Sequence, residues 1–192
     1  MAKAAPRQLV EMPQFDVRYF EITLIGDSPL ICHAWSEKAK REMLAKQMKK
    51  AKQAKSAKSP EQDFHDSLYH LPDGGFGFPT VAFKSAAVDA CSHISGVTKV
   101  EARGAFHIDG EMVKLIGEPT MREDMVRIGM GTADIRFRGQ FMPWSTTFTV
   151  KHNNGVLSQE QIAHMFTIAG FAIGVGEWRP QKDGSYGLFH VG

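Results

Sequence analysis

Two periodicities alternate along this chain, and the order of their alternation is its strongest constraint on fold. From Val17 to Ile25, the run VRYFEITLI puts Phe20, Ile22 and Leu24 on one side and Tyr19, Glu21 and Thr23 on the other, the period of a half-buried strand. Gly26-Asp27-Ser28-Pro29 supplies turn chemistry after it. Beyond Pro79-Thr80, Phe83, Ala87, Ala90, Cys91 and Ile94 recur at helical spacing and stop before Gly96, which predicts an amphipathic helix. Gly104 to Ile116 predicts one or two strands with a turn at Asp109-Gly110. Ala133 to Phe141 alternates Ile135, Phe137 and Phe141 against Arg136, Arg138 and Gln140. Trp144 to Lys151 alternates Trp144, Thr146, Phe148 and Val150 against Ser145, Thr147, Thr149 and Lys151, and the two runs are expected to pair as an antiparallel hairpin. After Asn153-Asn154-Gly155, Ser158 and Gln161 form a capping box for a helix with Ile162, Met165, Phe166 and Ala169 facing the core. A glycine-rich loop, Gly174 to Gly187, and a short strand, Tyr186 to Val191, complete the pattern.

Stripped of insertions the order is β-α-β-β-α-β, which predicts an α+β fold of the ferredoxin-like, or RRM-like, split type. A chain of 192 residues holds one such domain with room for insertions. The expected organisation is a single domain over 1–192, with an N-terminal arm at 1–15 broken by Pro6 and Pro13, a basic insertion at 33–75, and a loop or hairpin insertion at 118–132. The longest apolar run, Ala169 to Gly176, has eight residues, against the roughly 20 that span a bilayer. The first sixteen residues lack the apolar centre of a secretory signal, so a cytoplasmic location is expected, with Cys32 and Cys91 as reduced, buried thiols.

Charge is unevenly placed. The formal net charge is +2, yet residues 37–58 carry nine Lys or Arg and two Glu, net +7, which leaves −5 for the rest. This stretch is rich in Lys, Ala, Met and Gln, with basic residues all round the cylinder, and it predicts a solvated helix that orders on a ligand. Such concentration points to an acidic partner, single-stranded RNA or DNA, contacted by Lys46, Lys49 and Lys50. Arg136 and Arg138 add charge on one strand face.

Several chemistries are excluded. Gly174-Val-Gly176 lacks the third glycine of a dinucleotide fingerprint and leads into a strand, and no Gly-Lys-Ser/Thr follows. What remains is a loop whose exposed N–H groups approach a phosphate backbone, with Arg179 and Lys182 for charge and Trp178 and Tyr186 for stacking. The competing reading is a glycine-rich hairpin with Trp178 buried. None of the eight histidines has zinc-protease spacing, and no metal or cofactor is expected. Ser92 and His93 are neighbours that do not face each other on a helix, and His107 and His190 read as structural or surface groups.

Two segments together resemble the RAMP superfamily of CRISPR effector complexes. Phe78-Pro79-Thr80-Val81-Ala82-Phe83-Lys84-Ser85-Ala86-Ala87 resembles the start of that superfamily's first helix, and Gly174 to Gly187 resembles its glycine-rich loop. Ser85 departs from the usual glycine after the lysine, and Glu177 and Trp178 depart from its loop composition. The chain is also similar to proteins of phages and prophages, which implies the cytoplasm of a bacterial host cell. The resemblance implies that Lys84, Gly174, Gly176, Arg179 and Gly184 contact a nucleic-acid backbone. It implies that the insertions are protrusions gripping a strand and neighbouring subunits. The function so implied is non-enzymatic binding of single-stranded nucleic acid by a homo-oligomer or helical filament. The alternatives are a metal-independent endoribonuclease using His33 or His107 as general base, and a phage protein-binding factor that mimics a CRISPR complex subunit.

Overall fold

The structure is a computed structural model that describes residues 15–49, 59–129 and 131–192. In chain order its strands and α-helices are β1 (Val17–Gly26), β2 (Leu30–Ile31), α1 (Glu37–Gln47), α2 (Pro60–Asp66), β3 (Tyr69–His70), β4 (Phe76–Pro79), α3 (Thr80–Ala90), α4 (Lys99–Ala105), β5 (Phe106–Ile108), β6 (Met112–Leu115), β7 (Pro119–Ile128), β8 (Thr132–Phe141), β9 (Ser145–Asn153), α5 (Gln159–Ala172) and β10 (Phe189–Val191). The expected arm at 1–15 lies outside the described residues except for Phe15, as does Lys50 with the rest of the basic segment to Lys58.

The main sheet has the order β10-β1-β9-β5, every pair antiparallel. Period-two alternation turns Ile22, Leu24, Phe148 and Val150 to one face, where they are buried with Phe83 of α3 and Ile162, Met165 and Phe166 of α5. Phe148 meets Phe83 at 5.6 Å and Phe166 at 5.7 Å between ring centroids, so one strand residue ties both helices down. Each such buried ring contributes about 1.5–3 kcal/mol. The α5 N-terminus carries the capping box formed by Ser158 and Gln161. Trp144 is fully buried and its indole N–H donates to the Ser28 carbonyl at 2.9 Å, pinning the turn after β1.

Two smaller sheets, β2-β8-β7 and β3-β4-β6, stand beside the main one. Here the structure corrects the sequence reading. Residues Ala133 to Phe141 do not pair with Trp144 to Lys151. β8 takes β7 along its whole length, from Pro119↔Phe141 to Ile128↔Thr132, and β2 on its other edge, while β9 lies between β1 and β5. β8 is thus matched along its full length by β7 and β9 by β1, so neither takes the other, its neighbour in sequence, as partner. The 118–132 insertion is the outgoing half of this β7–β8 hairpin, with β8 as its return. Helix α4 falls where the sequence pattern predicts connection and strand, although Thr98 and Glu101 form a capping box at its start. α2 seats Leu68 and Phe64 against Gly139 of β8, where a Cβ has no room beside the Leu68 side chain.

Candidate nucleic-acid interface

The loop between α5 and β10 is wired into the body. Its N–H groups donate inward: Gly174 to Ala169 (2.8 Å), Val175 to Gly187 (3.0 Å), Glu177 to Ile31 (3.1 Å), Gly184 to Arg179 (3.1 Å), Tyr186 to Trp178 (3.0 Å) and Gly187 to Pro29 (2.8 Å), each to a backbone carbonyl. The expectation of an open set of loop donors is thus corrected, because most of them already have partners. The glycines have an internal cause as well. A Cβ on Gly176, at φ +80°, would stand 2.7 Å from the Ile31 carbonyl oxygen, and one on Gly184 would collide with the Trp178 carbonyl.

Trp178 is not a core residue. It is 42% exposed, with φ 54°, so its ring lies on the surface and the buried-Trp alternative fails. Arg179 folds back on the loop, donating from Nη1 to the Gly176 carbonyl at 2.9 Å and from Nε to Gln181 Oε1 at 3.1 Å. Lys182 is exposed at the end of a 3-10 turn, Pro180–Lys182. Between α3 and the loop runs an open groove of about 260 Å³ lined by Val81, Ala82, Ser85, Gly174, Gly176 and Arg179, among others. The structure therefore brings the loop residues to the first turns of α3, with Ser85 on the groove.

Lys84 stands elsewhere. Its Nζ donates to the Arg103 carbonyl at 3.0 Å, lies 3.2 Å from His107 Nδ1 and sits over the Phe106 ring, and burial holds its ammonium below the usual lysine range. The side chain of Lys84 thus turns from the α3 groove toward β5. Lys46 and Lys49 are exposed.

The hairpin arginines are likewise engaged. Arg138 is 6% exposed, with Nη1 3.5 Å from Asp124 Oδ2 and no partner for Nε among the described residues. Arg122 donates from Nε to Asp124 Oδ1 at 2.7 Å and lies 4.7 Å over the Tyr186 ring, joining the hairpin to the glycine loop. Arg136 is tied to Asp134 at 3.0 Å. The arginines expected to add charge on this strand face are thus held by cross-strand and i, i+2 carboxylates, Arg122 and Arg138 sharing Asp124.

A pair that neighbourhood in sequence did not indicate lies beside Arg138: His33 Nδ1 is 3.1 Å from Glu177 Oε1. The His33 hydrogen bond, supported by the charges of Arg138 and Arg179 and opposed by burial, holds the Glu177 carboxyl below the usual glutamate range. Both cysteines are free and buried, and burial pushes the Cys32 thiol up to about 12. Among the described residues no three His, Cys, Asp or Glu converge as a metal site, and no helix is long and apolar enough to cross a membrane.

No protein-family model matches the chain, and no curated protein matches it. Solved structures do. A chain of the type III-B Cmr-beta complex bound to cognate target RNA superposes over 92% of this one with a TM-score of 0.56 at 10% sequence identity. The chain has a RAMP-like fold. It spans 59% of that chain's length. Cmr6 from Pyrococcus furiosus matches over 92% of this chain and 99% of its own, with a TM-score of 0.46 and 10% identity. A chain of a CRISPR RNA-guided surveillance complex matches over 91% of this chain and 66% of its own, with a TM-score of 0.40 and 8% identity.

Proposed function

We propose that this chain is a non-enzymatic, single-domain protein that binds single-stranded nucleic acid and oligomerises along the strand. On this reading the β10-β1-β9-β5 sheet with α3 and α5 is a ferredoxin-like core, and the hairpin and basic insertions are its gripping parts. The observation that carries it is α1. None of residues 39–47 of this helix is buried, its Lys46 is exposed, and Lys49 is exposed just beyond it. An isolated helix of about this length is marginal in water, and a polyanion supplies what the body of the protein does not. The groove between α3 and the loop, with Arg179 on its wall and Trp178 and Lys182 exposed nearby in sequence, gives the strand a second place to lie. The RNA-bound complex whose chain shares the fold supports the same partner class.

Fluorescence anisotropy with single-stranded oligonucleotides across a salt series tests this. Affinity should fall steeply with salt, and Lys46→Gln with Lys49→Gln and Lys50→Gln should flatten the slope of log K against log salt by about 0.7 for each phosphate no longer neutralised while the melting temperature holds. No binding at low salt refutes the reading, and a large loss of stability in the triple variant refutes the placement of α1.

The His33–Glu177 pair favours a second reading, a metal-independent endoribonuclease. The carboxylate at Nδ1 fixes the ring and leaves Nε2 for proton transfer. Cleavage of RNA in the presence of a chelator, abolished in His33→Ala, would support it.

A further inference from the structure

Outside the α3 groove lies a cluster of basic side chains that no carboxylate of the described residues meets at ion-pair distance. On the outer face of the main sheet, the face away from α3 and α5, His107, Lys151 and Tyr19 stand in one row across β5, β9 and β1, each in register with the next. Lys84 reaches this row from α3, with Nζ 3.2 Å from His107 Nδ1. The Lys151 ammonium lies 5.8 Å from the centroid of the Tyr19 ring, and Tyr19 is 59% exposed. Elsewhere lysines have carboxylates, Lys99 with Asp89 at 2.8 Å and Lys114 with Asp73 at 3.0 Å. Among the described residues no carboxylate lies at ion-pair distance from Lys84, His107 or Lys151.

The protonation pattern follows from the contacts. An ammonium donates to Nδ1, so the ring proton sits on Nε2 and His107 is itself a donor at that atom. Burial and the two neighbouring lysines hold its imidazole below the usual histidine range. The row thus presents donors and positive charge, with no carboxylate of the described residues at ion-pair distance to answer them.

We propose that this row is a second contact site for a single nucleic-acid strand, with Lys151, His107 and Lys84 around one phosphate and Tyr19 stacked on an adjoining base. The inference rests on the nucleic-acid reading above and adds a surface to it. Phosphate oxygens only accept, and charge-assisted donors are the groups that match them. A cation beside an exposed aromatic is the combination by which single strands are held without sequence choice, the charge on the backbone and the ring on a base. Beyond this row the same face continues with Glu21 opposite Thr149 and Thr23 opposite Thr147, so a carboxylate bounds the site on that side.

The experiment uses the full chain and labelled oligouridine and oligothymidine. Lys151→Gln should weaken binding about tenfold and flatten the salt slope by about 0.7, and Tyr19→Ala should weaken it about tenfold with the slope unchanged. Neither side chain is buried, so both variants should melt as the parent does. By NMR, the His107 ring should titrate at higher pH once the oligonucleotide is bound. If the parent binds and the α1 triple variant is weakened while Lys151→Gln and Tyr19→Ala bind as the parent does, this site is refuted and the wider reading stands. If polyglutamate shifts His107 as strongly as the oligonucleotide does, the site serves acidic protein and the inference is refuted. A parent that binds no oligonucleotide overturns both readings together.

Discussion

Gly176 and Gly74 make a matched pair for testing why the glycine loop is built as it is. Both have φ near +80°, at 80° and 84°, so alanine at either position costs about 1 kcal/mol for a left-handed backbone. They differ in surroundings. A Cβ on Gly74 meets nothing within 4 Å, whereas on Gly176 it stands 2.7 Å from the Ile31 carbonyl oxygen and 2.8 Å from Leu30 Cδ1. Ile31 cannot simply withdraw, because that oxygen accepts the Glu177 N–H at 3.1 Å and the residue is paired with Gln140 of β8. Crowding of this kind costs about 1–3 kcal/mol. Gly176→Ala should therefore lose about 2–4 kcal/mol and Gly74→Ala about 1. At about 2–4 °C per kcal/mol for a chain of this size, the melting points should fall by about 4–16 °C and about 2–4 °C. Urea titration and thermal melts of the two variants decide the matter. Equal losses would show that Gly176 is not required by packing against β2, and a variant that melts like Gly74→Ala yet binds oligonucleotide poorly would return the glycine to the ligand.

Two further outcomes follow from the ion pairs. Asp124→Ala removes the carboxylate paired with the buried Arg138, which should cost about 3–5 kcal/mol in urea denaturation; a loss below about 1 kcal/mol would mean that the guanidinium is not sealed from water or is held by Glu177 instead. The lowered carboxyl of Glu177 stabilises the fold above its unfolded pKa, about 4.3, and that contribution disappears as pH falls through the still lower folded value. The stability gap between the parent and Glu177→Gln should accordingly narrow from neutral pH toward acid, and a gap that widens would reverse the assignment.

What the sequence disclosed depended on whether the information was local. Phe20, Ile22 and Leu24 mark β1 by period alone, and Ser158 with Gln161 marks the start of α5, because both signals are carried by neighbours. Partner choice is not local. Ala133–Phe141 alternates as well as any core strand, yet its hydrogen bonds go to β7 and β2, and nothing in its own residues distinguishes a hairpin arm from a sheet interior. The arginines show the same limit. Arg138 alternates with apolar residues as a solvated side chain would, but the carboxylate that holds it, Asp124, lies across the hairpin. Alternation reports which face a residue occupies and is silent on what covers that face. The His33–Glu177 pair was beyond reach for this reason too, since β2 and the loop meet only in the folded chain.

The position of β1 has a consequence for the order in which the molecule is made. It is a central strand of the main sheet, yet its neighbours there are β9 and β10: Val17 has no ladder partner until Asn153 has been synthesised, and Leu24 awaits Val191 on its other edge. At about 5–20 residues per second on the ribosome, β1 spends on the order of ten seconds without its mates. The β7–β8 arm, whose strands are separated by only three residues in sequence, closes on itself within about 1–10 μs of emerging. The β7–β8 arm is thus the early structure and the main sheet the late one, and contact order places the rate-limiting search in joining the chain's first strand to β9.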